Sequence, residues 1–505
     1  MNIIHSIKQR SDRASGMQQK QLPTTAIHKL LTAVNFSRNK NTSQVVVNRS
    51  SYLLLIVCCG SLFSGCVVGG KFTQPQVATD SIYPNQVSAD SITNLTWVAL
   101  YQDTVLARFI KTTLDSNRNL LTAAARVEEA REIAGVVKAN LYPAIGLSAG
   151  AAYGTAGTDA QKLGQLDGGS LSAFGTLSWE IDIWGKLRHA KRAAQSDFLA
   201  EIENRNALQV SLIAEVASNY FILRDLDNRL DIAKRTLISR HENTMIITAR
   251  FDTGYVSELD KLQAEQQEYV AEGAIPEFER QITQIENALR VLMGMNPGTV
   301  IRGKPNVDQV IVPTIPSGIP AELLDRRPDI RSASLQMQAQ FDRVGVAKAN
   351  RLPVISLTGL LGFASPELNT FLTSGGFAAG GGAGLFAPLF NFGKLKHATK
   401  AEEFRLQQSA YQYQETILEA FSDVDNSLKN YESYTRQYDI VHRQVEAARK
   451  ALILSEARYN FGYTDYTEVI IQQDNLFSAE LNESFLLQSK LNSTVSLYRS
   501  LGGGW

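Results

Sequence analysis

Three cysteines, four histidines beyond residue 66 and scattered carboxylates are the side chains with the most chemical reach, and their spacing limits what each can do. His189, His241, His397 and His442 stand far apart, and no serine or cysteine sits in a motif that would pair with one as a nucleophile. A nucleophile–base constellation is therefore not expected, and the chain reads as something other than an enzyme. His189 and His397 each open a long breaker-free stretch, where a histidine packs or meets solvent more readily than it ligates a metal. Met293 and Met295 fall at a helix end, and Gly380-Gly381-Gly382 lacks the Lys-Ser/Thr that a phosphate loop needs. No metal and no cofactor are expected.

The cysteines carry a different chemistry. Cys58, Cys59 and Cys66 lie in or beside one apolar run, Tyr52 to Phe63, with Arg49 just ahead of it. That run is too short to span a bilayer and matches the core of a signal peptide. Ser64-Gly65-Cys66 follows, which resembles the bacterial lipoprotein signal, with Phe63 where Leu is usual. In that signal the cysteine is acylated and becomes the new N-terminus. Residues 1–65 are thus expected to be a signal peptide with an atypical polar extension, and 66–100 a lipid-anchored N-terminal segment. An ordinary signal peptide cut nearby is the alternative. Either way a single cysteine, Cys66, is left at most, and no disulfide framework can form.

Lys and Arg number 50, Asp and Glu 50, so no net field exists to gather a polyanion and nucleic-acid binding is not expected. Hydrophobic residues at 44% and charged residues at 20% describe an ordered protein. No stretch approaches the ~20 apolar residues of a membrane-spanning helix.

Positioning elements emerge from internal repetition. Lys138-Ala139-Asn140 with Pro143 recurs as Lys348-Ala349-Asn350 with Pro353, displaced by 210 residues. Trp184-Gly185-Lys186-Leu187 recurs as Phe392-Gly393-Lys394-Leu395, and Ala249-Arg250-Phe251 with Gly254 as Ala457-Arg458-Tyr459 with Gly462, both displaced by 208. The chain is two copies of one unit, 101–294 and 321–505, joined by a connection over 295–320 that holds five prolines.

Each copy contains 68 residues, Lys186–Thr253 and Lys394–Phe461, with neither Gly nor Pro. Each span predicts one helix roughly 100 Å long. Such a helix needs a neighbour along its length. The series Ile417, Phe421, Val424, Leu428, Tyr431, Tyr434, Tyr438, Val441, Val445, Ala448, Leu452 recurs about every 3.5 residues, the coiled-coil spacing. A second helix follows each glycine turn, so each copy predicts a long antiparallel hairpin with its tip at Gly254 or Gly462. Gly273 and Pro276 predict a break in the first return helix. Leu106–Ala139 and Pro328–Ala349 are also helical by pattern.

Between the Lys-Ala-Asn landmark and the long helix the period falls to two. Ile145 to Tyr153 and Leu171 to Ile183 alternate apolar with small or polar residues; Ile355 to Phe363 repeats the pattern and 376–390 forms a Gly-rich version. Alternation over ~10 residues suits strands of an outer-membrane barrel, or a small soluble sheet capping a bundle. Four strands per chain cannot close a barrel, which needs ~8 or more, so a membrane sheet would require strands pooled from several copies.

At this point the chain resembles TolC-like outer-membrane efflux factors, in the lipoprotein branch represented by OprM and NodT. The carrying residues are Leu323-Leu324-Asp325-Arg326-Arg327-Pro328-Asp329-Ile330, Val344-Gly345-Val346-Ala347-Lys348-Ala349-Asn350, Trp179-Glu180-Ile181-Asp182-Ile183-Trp184-Gly185 and Leu501-Gly502-Gly503-Gly504-Trp505. The resemblance implies a mainly α protein with a membrane β-barrel part: long helical hairpins forming an α-barrel, four strands per chain, and a homotrimer with a 12-stranded barrel. It implies a passive outer-membrane exit duct for drugs or metal ions. Such a duct is lipid-anchored, has a long periplasmic part, and joins a periplasmic adaptor to an inner-membrane pump of the resistance-nodulation-division class. A lipid-anchored adhesive coiled-coil protein and a duct for polypeptide secretion remain alternatives. By resemblance, the adaptor would engage the hairpin tips Arg250, Phe251, Gly254, Arg458, Tyr459 and Gly462. An acidic channel entrance would be built from Asp465, Glu468 and Asp474, although Ile471 stands where the family often has Asp.

Overall fold

The computed structural model describes residues 70–74, 103–154, 168–309 and 326–503. The expected signal peptide, Cys66 and most of the anchored segment 66–100 lie outside the described residues. So do part of the 295–320 connection and Trp505. In chain order the elements are α1 (Thr104–Ser116), α2 (Arg118–Ala139), β1 (Ala144–Gly154), β2 (Gly168–Ile181), α3 (Lys186–Asp252) and α4 (Glu258–Leu292). A 3-10 turn (Asn306–Asp308) precedes α5 (Pro328–Ala349), β3 (Val354–Ser365), β4 (Phe377–Phe386), α6 (Lys394–Asn460) and α7 (Tyr466–Ser500).

The duplication is expressed in these lengths. Helices α3 and α6 both have 67 residues, α4 and α7 both have 35, and α2 and α5 both have 22. Gly185 and Gly393 start the long helices with φ of 79° and 83°, a left-handed conformation that any Cβ would strain. Strand register obeys the same two displacements. Ala144 faces Ser178 in the first hairpin and Val354 faces Phe386 in the second, 210 and 208 residues further on.

Each long helix lies along its return helix, α3 on α4 and α6 on α7. All eleven positions of the apolar series on α6 are at least partly buried, with Ile417 and Val424 almost fully so. The main core joins α1, α3, α4 and α7 around Tyr220, Phe221 and Leu223, each fully buried. Burial of such side chains contributes ~1.5–3 kcal/mol apiece.

Three local expectations are corrected. The helix over Leu106–Ala139 is two helices, because Asn117 takes an extended ψ of 126° and its side chain caps α2 by accepting from Asn119 and Leu120 N–H. The Asn117 amide also donates to Leu292 O at 2.8 Å, which ties the corner to the end of α4. Conversely, α4 runs through Gly273 and Pro276 unbroken. Both residues sit on its exposed side with Glu272, whose carbonyl can meet water, while Ala271, Phe278 and Ile282 hold the opposite side on the core. Finally, β2 stops at Ile181 because Asp182 turns to cap α3, accepting from Leu187 N–H and Arg188 N–H at 3.0 and 2.9 Å.

Two polar joints hold the parts together: one ties the first half to the connection, and the other fastens the two halves to each other. Asp103, 2% exposed, accepts from Tyr220 Oη (2.6 Å), Lys304 N–H (2.8 Å), Gln309 Nε2 (2.9 Å) and the α1 amide of Val105 (2.8 Å). Burial alone would raise its pKa, but these donors outweigh burial and hold the carboxyl below the ordinary carboxylate value. At the other joint His189, 1% exposed, meets Asp342 of α5 at 2.6 Å, and Arg192 reaches the same carboxylate at 2.9 Å. Gly345, one turn along α5, lies so close that a Cβ there would fall 2.5 Å from the His189 ring. His189 is thus a buried joint rather than a solvated side chain, whereas His397 is exposed within the chain.

Candidate membrane sheet and helical tips

The four strands form one antiparallel sheet in the order β1-β2-β3-β4. Residues paired across antiparallel strands point to the same face, so the registers decide which side chains share a surface. Ile145 faces Leu177, which faces Gly359, which faces Gly381; Ala149, Ala173, Phe363 and Phe377 make a parallel row. Every such row on this face is apolar or glycine up to Ser365 at its end. The opposite face carries Ser148, Ser172, Thr176, Ser178, Glu180, Ser356 and Thr358, with Phe174 and Leu360 among them. The apolar face is open: Leu147 is 83% and Leu385 70% exposed. The outer edges of β1 and β4 have no strand partner among the described residues.

At the far end of the long helices the two hairpin tips lie side by side. Each tip closes in the same way. Tyr255 N–H donates to Arg250 O and Tyr463 N–H to Arg458 O, both at 2.9 Å, with Gly254 and Gly462 at φ of 77° and 76°. This is the six-to-one closure that a left-handed residue permits at a helix end. Arg250 joins the tips by donating to Asn460 Oδ1 at 2.8 Å and lying over the Tyr459 ring at 5.3 Å. Phe251 receives Lys261 over its ring. Below the tips Ile247, Ala264, Tyr466 and Val469 form a small buried cluster. Burial pushes the Tyr466 hydroxyl up to about 12. The exposed aromatics Tyr255, Phe461 and Tyr463 crown the tips. None of the three is among the tip residues that the resemblance supplies, although Tyr255 and Tyr463 directly follow the repeated turn glycines and Phe461 precedes one.

The acidic residues separate into two settings. Asp465 is exposed at the N-cap position of α7, and Glu468, in the first turn, accepts from Arg458 Nη1 at 3.0 Å and from the Thr464 hydroxyl. Arg458 thus belongs to a tip and to the acidic pair at once. Asp474 lies further along α7, where it accepts from Arg240 Nη2 at 2.8 Å and Gln267 Nε2 at 3.1 Å. Arg240 is 2% exposed. Burial lowers its pKa, and Asp474 works against that shift. Among the described residues no cluster of three or more His, Cys, Asp or Glu is arranged to hold a metal, and no helix is long and apolar enough to cross a membrane.

A sheet with one apolar face, set on paired hairpins of this length, is an unusual combination, and comparison with known proteins accounts for it. The family model described as "Outer membrane efflux protein" matches residues 109–295 and again 319–503. The chain belongs to the outer membrane efflux protein family. Among curated relatives, the solvent efflux pump outer membrane protein SrpC of Pseudomonas putida is 30% identical over 456 residues, covering 88% of this chain and 96% of SrpC. The probable outer membrane lipoprotein SilC of Salmonella typhimurium is 28% identical over 459 residues, covering 90% and 98%. Among solved structures, the outer-membrane channel OprN superposes with a TM-score of 0.80 at 26% identity, covering 87% of this chain and all of that one. The open-state MtrE outer membrane channel of Neisseria gonorrhoeae gives 0.79 at 27%, covering 87% and 98%. The fold is therefore that of the TolC-like outer-membrane channels. In this outer membrane efflux protein the sheet is the membrane part and the helical hairpins are the long extension away from it.

Proposed function

We propose that three copies of this chain close into a duct: a 12-stranded barrel through the outer membrane, continued by a tunnel of helical hairpins through the periplasm. The observation that carries this reading is the sheet. One face is apolar and open, the other bears mostly small and hydroxylated side chains, and two strand edges lack partners among the described residues. Lipid tolerates an apolar face but not a bare edge, and only closure removes edges. Four strands from each of three chains give a barrel wide enough for a polar lumen. A surface adhesin built on the same coiled coil would have no use for such a sheet.

In this reading residues 101–294 and 321–505 are the two duct-forming halves and 295–320 the connection. Cys66 carries the acyl anchor, which agrees with the naming of SilC as a lipoprotein. The tips Arg250, Phe251, Gly254, Arg458, Tyr459 and Gly462 form the docking ring for a periplasmic adaptor, with Tyr255, Phe461 and Tyr463 supplying apolar contact. An inner-membrane pump, of the resistance-nodulation-division class by family likeness, provides the energy, and the cargo is small molecules.

Asp465 and Glu468, next to the tips, line the entrance. Asp474, tied to Arg240, stiffens the wall behind them. Purified trimers in planar bilayers are expected to conduct; trimers that leave the bilayer silent would end the duct reading. Glu468→Ala removes three carboxylates around the axis and releases three Arg458 guanidinium groups. Block by multivalent cations should weaken and cation preference should fall. Unchanged block would remove Glu468 from the entrance.

A further inference from the structure

The joint between the two halves of one chain has a counterpart that the single chain leaves unmade. Inside the chain the first copy's long helix α3 packs on the second copy's short helix α5. There His189 meets Asp342, Arg192 reaches the same carboxylate, and Gly345 leaves room for the imidazole. The repeat displacements, 208 on the long helix and 210 on the short one, carry these four residues to His397, Lys400, Glu132 and Gly135. Each keeps its chemistry: histidine, cation, carboxylate and glycine recur in the same places. Yet α2 packs along α3 within the chain, not along α6. Glu132, Gly135, His397 and Lys400 are all exposed, and a Cβ at Gly135 would meet nothing within 4 Å.

Burial along the long helices tells the same story. On α3, His189, Ser196, Glu203 and Val210 form a stripe that is 1%, 5%, 6% and 4% exposed. The equivalent α6 stripe is His397, Phe404, Tyr411 and Leu418, all exposed, the last three at 63%, 59% and 57%. One stripe is covered by the other half of its own chain. The other is more apolar and lies open, a surface that monomeric proteins seldom present. On α2 the exposed Leu121, Ile133 and Val136 offer a matching apolar side.

We infer that α6 of one copy seats on α2 of a second copy of this chain, with His397 entering a socket formed by Glu132 and Gly135 of that neighbour. The seam between chains then repeats the seam within the chain. The inference rests on the three-copy duct and specifies its interface residue by residue. The sheet obeys the same rule independently. Within the chain Leu177 of β2 pairs with Gly359 of β3. Displaced by the repeat, Leu385 of β4 pairs with Ala149 of the neighbour's β1, which removes both bare edges.

The test uses the full-length lipoprotein in outer membranes, with chains bearing His397→Cys mixed with chains bearing Gly135→Cys. A Cβ at Gly345 lies against the His189 ring, so the equivalent pair is within disulfide reach. Oxidation is expected to yield a covalent dimer of the two chain types, at least tenfold above a control pairing His397→Cys with Arg126→Cys. When both changes share one chain, a covalent trimer is expected, and a bond that closes within single chains overturns the proposal.

A register scan pairs Ala149→Cys with cysteine at 383, 385 or 387. It should peak at 385, and a peak at either neighbour overturns the register. Gly135→Val fills the socket and should cut trimer yield at least tenfold while the monomer keeps its helicity. If wild-type trimers form and conduct but none of these cross-links appears, the seam is wrong and the duct reading stands. Absence of wild-type trimers removes both.

Discussion

Replacing Gly345 with alanine is expected to destabilise the chain by about 3–5 kcal/mol, far more than one methyl group usually costs. The added Cβ would lie 2.5–2.7 Å from three atoms of the His189 ring, inside any allowed contact. The ring cannot step aside, because it is buried and bonded to Asp342, whose side chain is itself 4% exposed. Relief therefore requires either separating α3 from α5 or breaking the pair and leaving a carboxylate buried with less support. Overpacking costs ~1–3 kcal/mol and breaking a buried pair ~3–5 kcal/mol. Thermal unfolding of detergent-solubilised protein measures the loss. The double variant His189→Ala/Gly345→Ala removes the obstacle and should recover at least 1 kcal/mol relative to the sum of the single changes. Strict additivity would show that the ring and the glycine do not compete for space.

Loss of the Asp103 carboxylate is the second large effect. Asp103→Ala leaves the buried Tyr220 hydroxyl and the backbone amides of Lys304 and Val105 without this acceptor, while Gln309 Nε2 keeps Lys304 O, at ~1–3 kcal/mol for each group left unsatisfied away from water. A total of roughly 3–5 kcal/mol is expected, read as a lowered unfolding midpoint. Gly303 adds to the sensitivity, since its backbone passes so close that a Cβ would lie 2.3 Å from Tyr220 Oη. The same carboxylate predicts an acid response. Its folded pKa lies below the ordinary value, so the stabilisation is complete above the unfolded pKa near ~4 and is lost as pH falls through the folded pKa. Asp103→Asn should start less stable at pH 7 and lose less on acidification below pH ~4. Parallel pH profiles for the two proteins would rule the carboxylate out as the source.

Much of the architecture was legible because it rests on period and punctuation. The long helices end within one residue of the breaker-free spans, since Gly185, Gly254, Gly393 and Gly462 supply left-handed turns that nothing else in those spans could. The alternating strands were legible for the same reason, and the registers placed the apolar series of β1, β2 and β3 on one face. Pro276 misled because its effect depends on which side of the helix it occupies, and a single helix in isolation does not reveal that. Asn117 was missed because a cap that also reaches Leu292 depends on a contact 175 residues away. The joints escaped notice on similar grounds. Nothing local marks Asp103, Arg240 or the His189–Asp342 pair, since each is defined by partners from another element. At the tips, the turn geometry of Gly254 and Gly462 was readable, while the grip of Arg458 on Glu468 and of Arg240 on Asp474 needed the folded hairpins.

The two bare strand edges also bear on supply. In the three-copy duct proposed above, a chain that cannot rest alone in lipid must find two companions before or while it enters the bilayer, so assembly and insertion become one event of third order in chain. Halving synthesis would then cut the number of finished ducts by well over half while subunits are scarce. Dosage, more than the strength of any one contact, would govern how many exits a cell keeps open.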